Sequence, residues 1–550
     1  METNVKKPAL LLSLIMFTAM LSSCGNPDRG SGLNHMYDAP LLGNPQSLDP
    51  QFADDPSSNT VIKNLYSGLM TTDKSGGLVC CNASDYSVSE DGTAYTFHLR
   101  EDNYWFFDEN DDDVIDDEEC IPVTADDYVF ALQRILDPKM HSPYAESFSC
   151  IKGAKVVLRG LEPPDAAEVY AADDSTLVIV LEEPDAEFLN LMATSAACPC
   201  NREFFYSTKG RYGLDDRSVM SNGPFYVRQW FYDPYGNNNI LYMRRNEKNW
   251  TDSYDICPSY LSFTIEKSEE ATRKKFKNDE VECFTTLDSS TYNRKKYLVE
   301  GKAAETLGLV FNPEDRYFSN AALRKAFACS IDREGMKSQL NSDDCITAYG
   351  MIPPAVNLLG RSYRELSSEK QFDMYDSGKA SELFEQAKGE LETETLDNVK
   401  IIVSPDTADA RVLHYLTQSW QELFGCYVAI EDVTEEEFEE RIAEGDYNIA
   451  VYPLKAKMNS GLSVIKAYED TPCLQYTLPE EKISASIKNI PTASELVESY
   501  TAAEKKLIDT CGFVPLFYKN SYLIADRDNE DIIYDPFSGA VDYRLALNFD

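Results

Sequence analysis

The chain has 550 residues, 43% of them hydrophobic and 33 of them tyrosine, enough for about two to four domains with large apolar cores. Its formal net charge of -42 at pH 7 argues against nucleic-acid binding, because a phosphate backbone would be repelled. The same charge suits an exposed surface protein and identifies no ligand.

The first element is a secretion signal. Lys6 and Lys7 precede an almost wholly apolar run over residues 9–21. That run is too short for a membrane span, which needs ~20 residues, and suits a signal peptide. Leu21-Ser22-Ser23-Cys24 then resembles the bacterial lipobox. The resemblance implies removal of residues 1–23 and a lipid thioether on Cys24, holding the protein at the outer face of the cell membrane. The alternative is an ordinary signal peptide that happens to contain a cysteine. Residues 24–32 read as a polar tether, and no later segment reaches membrane-spanning length. Setting Cys24 aside leaves 14 − 1 = 13 cysteines, an odd number with irregular spacing and no C-x2-C pair. The pattern suggests mostly buried free thiols, although Cys198 and Cys200 could equally join disulfides to distant partners.

Strand and helix signals alternate through the rest of the chain. Residues 95–100 alternate as a strand after the turn Glu90-Asp91-Gly92. Thr124 caps a predicted helix carrying Val129, Leu132, Ile135 and Leu136 on one face. A strand over 176–181 stops at Glu182-Glu183-Pro184, and a helix covers 323–331. A helix over 411–423 ends at Gly425, a strand follows over 428–433, and a helix over 434–444 stops at Gly445. Such alternation predicts α/β lobes.

Several blocks then resemble one family. They include Asn44-Pro45-Gln46-Ser47-Leu48-Asp49-Pro50, Asn64-Leu65-Tyr66-Ser67-Gly68-Leu69 and Val123-Thr124-Ala125-Asp126-Asp127-Tyr128. Asn222-Gly223-Pro224-Phe225-Tyr226-Val227, Phe311-Asn312, Gly445-Asp446-Tyr447-Asn448-Ile449-Ala450 and Val514-Pro515-Leu516 continue the series. In order and spacing the chain is similar to the extracellular solute-binding proteins, family 5, typified by oligopeptide- and dipeptide-binding lipoproteins of ABC transporters. The resemblance implies an α/β, periplasmic-binding-protein-like, two-lobe (Venus-flytrap) fold with an extra inserted domain. It places lobe I at 25–72, 219–304 and 519–550, the inserted domain at 73–218, and lobe II at 305–518. It implies a monomer that captures a peptide or related small solute and passes it to permease subunits. Capture closes two lobes about a hinge.

The resemblance also implies ligand contacts, and here the chain departs from the pattern. Asp54 and Asp55 fall where the family places ligand contacts, Leu307 is a further ligand-binding candidate, and Tyr144, Tyr452 and Tyr518 are pocket candidates for each of which core packing is the alternative. Family peptide binders carry Gly-Trp-x-x-Asp-Tyr, whose aspartate pairs with the peptide's amino group. Here the aligned residues are Pro453-Leu454-Lys455-Ala456-Lys457-Met458-Asn459, so Leu454 replaces the tryptophan and Lys457 the aspartate. A buried lysine facing an ammonium is strongly unfavourable. Either Lys457 faces an anionic ligand group or pairs with Asp54 or Asp55, or the loop is re-registered and Lys457 points to solvent. An anionic non-peptide solute bound by a ligand-sensing receptor is the alternative function.

A second departure is the acidic stretch 108–119, following Trp105. Against an EF-hand loop, Asp108, Asn110, Asp112, the Val114 carbonyl, Asp116 and Glu119 fall at the oxygen-ligand positions. Asp113 stands where glycine is usual. A structural calcium ion is one expectation, a solvated acidic loop the other; solute capture itself requires no cofactor. Nothing points to an enzyme. There is no G-x-S-x-G, H-E-x-x-H or Walker loop, and the four histidines have no evident catalytic partner.

Overall fold

The computed structural model describes residues 35–548 apart from 111–115, 186, 237, 251–257, 340–344, 359, 369–371, 406, 408–409, 479–481 and 488–492. The expected signal peptide, Cys24 and the tether lie outside the described residues. The first sheet belongs to lobe I. Its strands lie in the order Met36–Leu42, Tyr260–Glu266, Ile240–Arg245, Phe225–Phe231. Along Met36–Leu42 every second side chain is buried, so Tyr37, Ala39 and Leu41 form its core face.

The inserted domain has its own antiparallel sheet, ordered Ala83–Val88, Ala94–Leu99, Thr176–Val180, Val169–Asp173. The helix Ala125–Leu136 covers it. Thr124 and Asp127 close a reciprocal capping box at its start, with the Thr124 amide donating to the Asp127 carboxylate at 2.9 Å. One continuous apolar core runs through lobe I and this domain, from Tyr37 and Phe263 to Phe97 and Leu132. A buried ion pair crosses the same boundary. Arg134 donates to Asp49 at 2.5 Å and to Gln51 at 2.7 Å, and its guanidinium lies 4.1 Å from the Phe205 ring.

Lobe II contains strand–helix–strand units. Val399–Val403, the helix Ala410–Phe424, Val428–Asp432, the helix Glu435–Glu444 and Ile449–Lys455 follow in chain order. The three strands pair in parallel, with Val399–Val403 in the middle. Gly425 and Gly445 follow the two helices at φ 66° and 71°, the left-handed conformation that ends a helix without a Cβ clash. Two apolar clusters cover opposite faces of this sheet: Ile401 and Val403 belong to one, Ile402 to the other.

Two long strands join the lobes. Tyr297–Phe311 and Phe513–Asp526 pair along their length; Cys283–Thr286 flanks the lobe I end and Ile449–Lys455 the lobe II end. Their register shifts between Ala303 and Glu305 and again between Leu307 and Gly308. These bulges concentrate twist and bending where the strands cross. At Gly308 an added Cβ would lie 2.5 Å from the Phe513 ring, so the strands approach there only because glycine has no side chain.

The sequence blocks meet one another in space. The Asn222 amide exchanges hydrogen bonds with the Ser67 backbone at 2.9 and 3.1 Å. The Asn312 amide donates to the carbonyls of Gly445 and Tyr447, both at 2.7 Å. Cys198 and Cys200 are free thiols, so the disulfide alternative for these two is corrected. Burial pushes both thiols up to about 12, which keeps them protonated and unreactive.

Candidate functional site

The candidate site is the junction between the lobes. On the lobe I side, residues 51–55 lead into the helix Pro56–Leu65. Asp55 is its N-cap: the carboxylate accepts from the Ser58 amide at 2.9 Å and the Ser58 hydroxyl at 2.5 Å. The Ser58 hydroxyl oxygen in turn accepts from the amides of Gln46 and Ser47 at 3.0 and 3.3 Å. Asp55 thus holds the 44–50 segment on the helix through Ser58. Asp54 beside it is exposed. Tyr144 comes to the same place, its hydroxyl donating to the Ala53 carbonyl. Burial pushes the Tyr144 phenol up to about 12, assisted by the charges of Asp54 and Asp55. The structure thus gathers Ala53, Asp54 and Tyr144 on one acidic rim.

On the lobe II side the expected residues divide. Thr306 lies opposite both Leu454 and Tyr518, so the three side chains share one face of the sheet. Leu454 is 2% exposed and packs in the lobe II core. Tyr518 is 0% exposed and donates to the Gly350 carbonyl at 3.1 Å. Leu307, on the other face, is equally buried. The expectation that Leu454, Tyr518 and Leu307 present surface to a ligand is corrected: each faces protein, because both faces of the sheet are covered here.

Past Lys455, which pairs with Glu305 at 3.2 Å, the chain leaves the strand and reaches across the junction. Met458 packs against the core shared by lobe I and the inserted domain. The Asn459 amide accepts from the Asn357 backbone at 2.7 Å and donates to the Gly76 carbonyl at 3.4 Å. Asn357 also donates to the Ser75 carbonyl at 3.2 Å. Lys457 itself is exposed, held by its backbone amide donating to the Ser463 hydroxyl at 3.0 Å. Among the described residues it pairs with neither Asp54 nor Asp55, which corrects that branch of the expectation. Sequence reasoning missed Asn357, Ser75 and Gly76. No local signal marks them, since 282 positions separate Asn357 from Ser75.

The acidic stretch begins and ends on the hairpin Tyr104–Phe106 and Cys120–Pro122. Asp112, Asp113 and Val114 lie outside the described residues. Asp108 is 7% exposed and accepts from Arg228 at 2.7 Å, while Lys248 pairs with Asp117 at 2.5 Å. The Glu119 carboxylate accepts from the amides of Glu109 and Asp116 at 2.9 and 3.1 Å. Asn110 and Asp116 are exposed. Two protein cations thus already neutralise part of this loop. Among the described residues no group of three His, Cys, Asp or Glu side chains is arranged to hold a metal.

Two α/β bodies joined by a continuous pair of bulged strands, meeting across a polar junction, define a hinged binding protein. The chain belongs to the bacterial extracellular solute-binding proteins, family 5 (Middle), whose pattern matches residues 79–471. The oligopeptide-binding protein OppA of Bacillus subtilis is 23% identical, with 98% of this chain and 99% of that protein covered. The peptide-bound structure of Listeria monocytogenes OppA superposes with a TM-score of 0.68 at 21% identity, covering 94% of this chain and 100% of that one. The Escherichia coli murein tripeptide-binding protein MppA gives 0.68 at 20% identity, with 94% and 99% covered.

Proposed function

We propose that this protein captures peptides outside the cytoplasm and delivers them to the permease of an ABC transporter. The observation that carries this reading is similarity along the whole chain to a protein named for oligopeptide binding, OppA of Bacillus subtilis. The hinge supports it physically. A peptide bound between the lobes can use backbone hydrogen bonds, which are blind to sequence, while lobe closure removes water from it. Within this reading, exposed Lys457 takes the place of an aspartate and favours an anionic peptide group, a terminal carboxylate or an acidic side chain, over the free amino terminus.

Two finer parts belong to the same proposal. Cys24 carries the lipid that tethers the protein, as a monomer, at the outer face of the membrane. The 108–119 loop binds a structural calcium ion, with Asp108 exchanging Arg228 for the metal. The test of the function is mass spectrometry of what co-purifies with the protein after mild denaturation. A mixture of short peptides supports the reading. A single non-peptide anion refutes peptide capture and favours the sensing alternative.

A further inference from the structure

A buried carboxylate that plays no part in the rim or in the strand-end loop lies at a second contact between the two halves. Glu187 immediately precedes the helix Phe188–Met192 of the inserted domain and is 5% exposed. One carboxylate oxygen accepts from the Tyr500 hydroxyl, which comes from the lobe II helix Ala493–Asp509. The hydroxyl of Ser460, the N-cap of the lobe II helix Gly461–Asp470, acts on the same carboxylate and favours its ionised form. From its own domain the Asn190 amide donates to it at 3.2 Å. The contact is fitted closely: at Gly461 an added Cβ would lie 2.6 Å from the Tyr500 ring.

Among the described residues no cation is hydrogen-bonded to this carboxylate. The charged groups acting on it are Asp185 from its own loop, which repels a negative charge, and half-buried Lys466 on the Gly461–Asp470 helix, which attracts one. The Ala493–Asp509 helix offers the neutral Tyr500. Burial dominates, and it pushes Glu187 up from 4.5 to about 8.

We propose that Glu187 is a proton-operated clasp between the inserted domain and lobe II: protonated, it joins them through Tyr500, and ionised, it lets them part. The sign follows from linkage. Apart, the hydrated carboxylate titrates near its ordinary value; joined, it holds its proton to higher pH. Parting therefore releases a proton across the interval from 4.5 to about 8, and the joined state loses ground as pH rises through it. Each pH unit inside that interval shifts the balance tenfold, or roughly 100-fold between pH 5.5 and 7.5. The clasp gives the peptide-capture reading a pH-dependent opening step. It can be tested without ligand, so its failure leaves that reading untouched.

The experiment is hydrogen exchange by mass spectrometry on the full chain in detergent micelles. No peptide is added, and rates at pH 5.5 and 7.5 are corrected for intrinsic exchange. In the wild type, amides of Glu187, Asn190 and the first turn of Gly461–Asp470 should lose protection by up to about 100-fold at the higher pH. The strand Val399–Val403 should not change, which controls for global unfolding. Glu187→Gln, which never ionises and still accepts from Tyr500, should remove the pH dependence. If Glu187→Gln does not fold, Tyr500→Phe serves instead and should already show low protection at pH 5.5. Equal wild-type protection at both pH values overturns the proposal. So does the same loss in Glu187→Gln, or wild-type protection in Tyr500→Phe.

Discussion

The ion pair between Arg134 and Asp49 ties a sequence signature to a domain boundary. Their side chains are 4% and 7% exposed. Burial by itself would lower the Arg134 pKa; Cys200 and Asp49 beside it reverse that and raise it, so the guanidinium stays charged. Replacing Arg134 by Met leaves Asp49 buried without a counter-charge, which costs about 3–5 kcal/mol. At about 2–4 °C per kcal/mol for a domain of this size, the inserted domain should melt about 6–20 °C earlier. Differential scanning calorimetry, with urea unfolding followed by tryptophan fluorescence, measures both quantities. The double variant Arg134→Met/Asp49→Leu removes both charges and should recover most of the loss, because an apolar pair of similar volume often matches a buried ion pair. Single variants within about 1 kcal/mol of wild type, or a double variant no better than either single one, would refute the reasoning.

Other consequences can be checked in the same preparations. Glu504 is 0% exposed and accepts from the amides of Met351 and Ile352 at 2.6 and 2.8 Å as well as from Arg364, so Glu504→Gln should cost about 3 kcal/mol in urea unfolding of lobe II. By contrast Lys482→Ala, which breaks the exposed pair with Asp470, should cost less than about 1 kcal/mol in the same assay. Burial would raise Asp542; Arg544, donating at 2.7 Å, reverses this and lowers it. The docking it lends the C-terminal segment is present above the ordinary carboxylate range. It is lost as pH falls through the lowered value, and limited pepsin digestion should show the 541–548 segment released only at strongly acid pH. Lys457→Asp should shift the co-purifying peptides toward free amino termini and away from acidic ones, read by mass spectrometry; an unchanged peptide mixture would remove Lys457 from the site. Calorimetric titration with millimolar calcium should show binding, and Arg228→Gln, which removes the cation paired with Asp108, should strengthen it; no heat in either protein would dismiss the ion.

What was legible in the sequence is what depends on neighbours within a few positions. The helix Ala125–Leu136 announces itself by Thr124, Asp127 and one apolar stripe, and the structure closes that cap. Gly425 and Gly445 mark helix ends because only a residue without Cβ takes the left-handed turn cheaply. The family resemblance rests on such blocks in order, and with them came the α/β class. Tertiary structure alone decided what the site residues do. Asp55 reads as a ligand contact in sequence and serves as a cap in space. Leu454 and Tyr518 read as pocket residues, yet both are buried beside Thr306 in a sheet whose two faces are covered by protein. Glu187 and Tyr500, 313 positions apart, carry no local sign of each other. Burial and cross-strand register are properties of the packed whole, so no window of sequence contains them, whereas caps, turns and periodicity are settled within a turn or two of backbone.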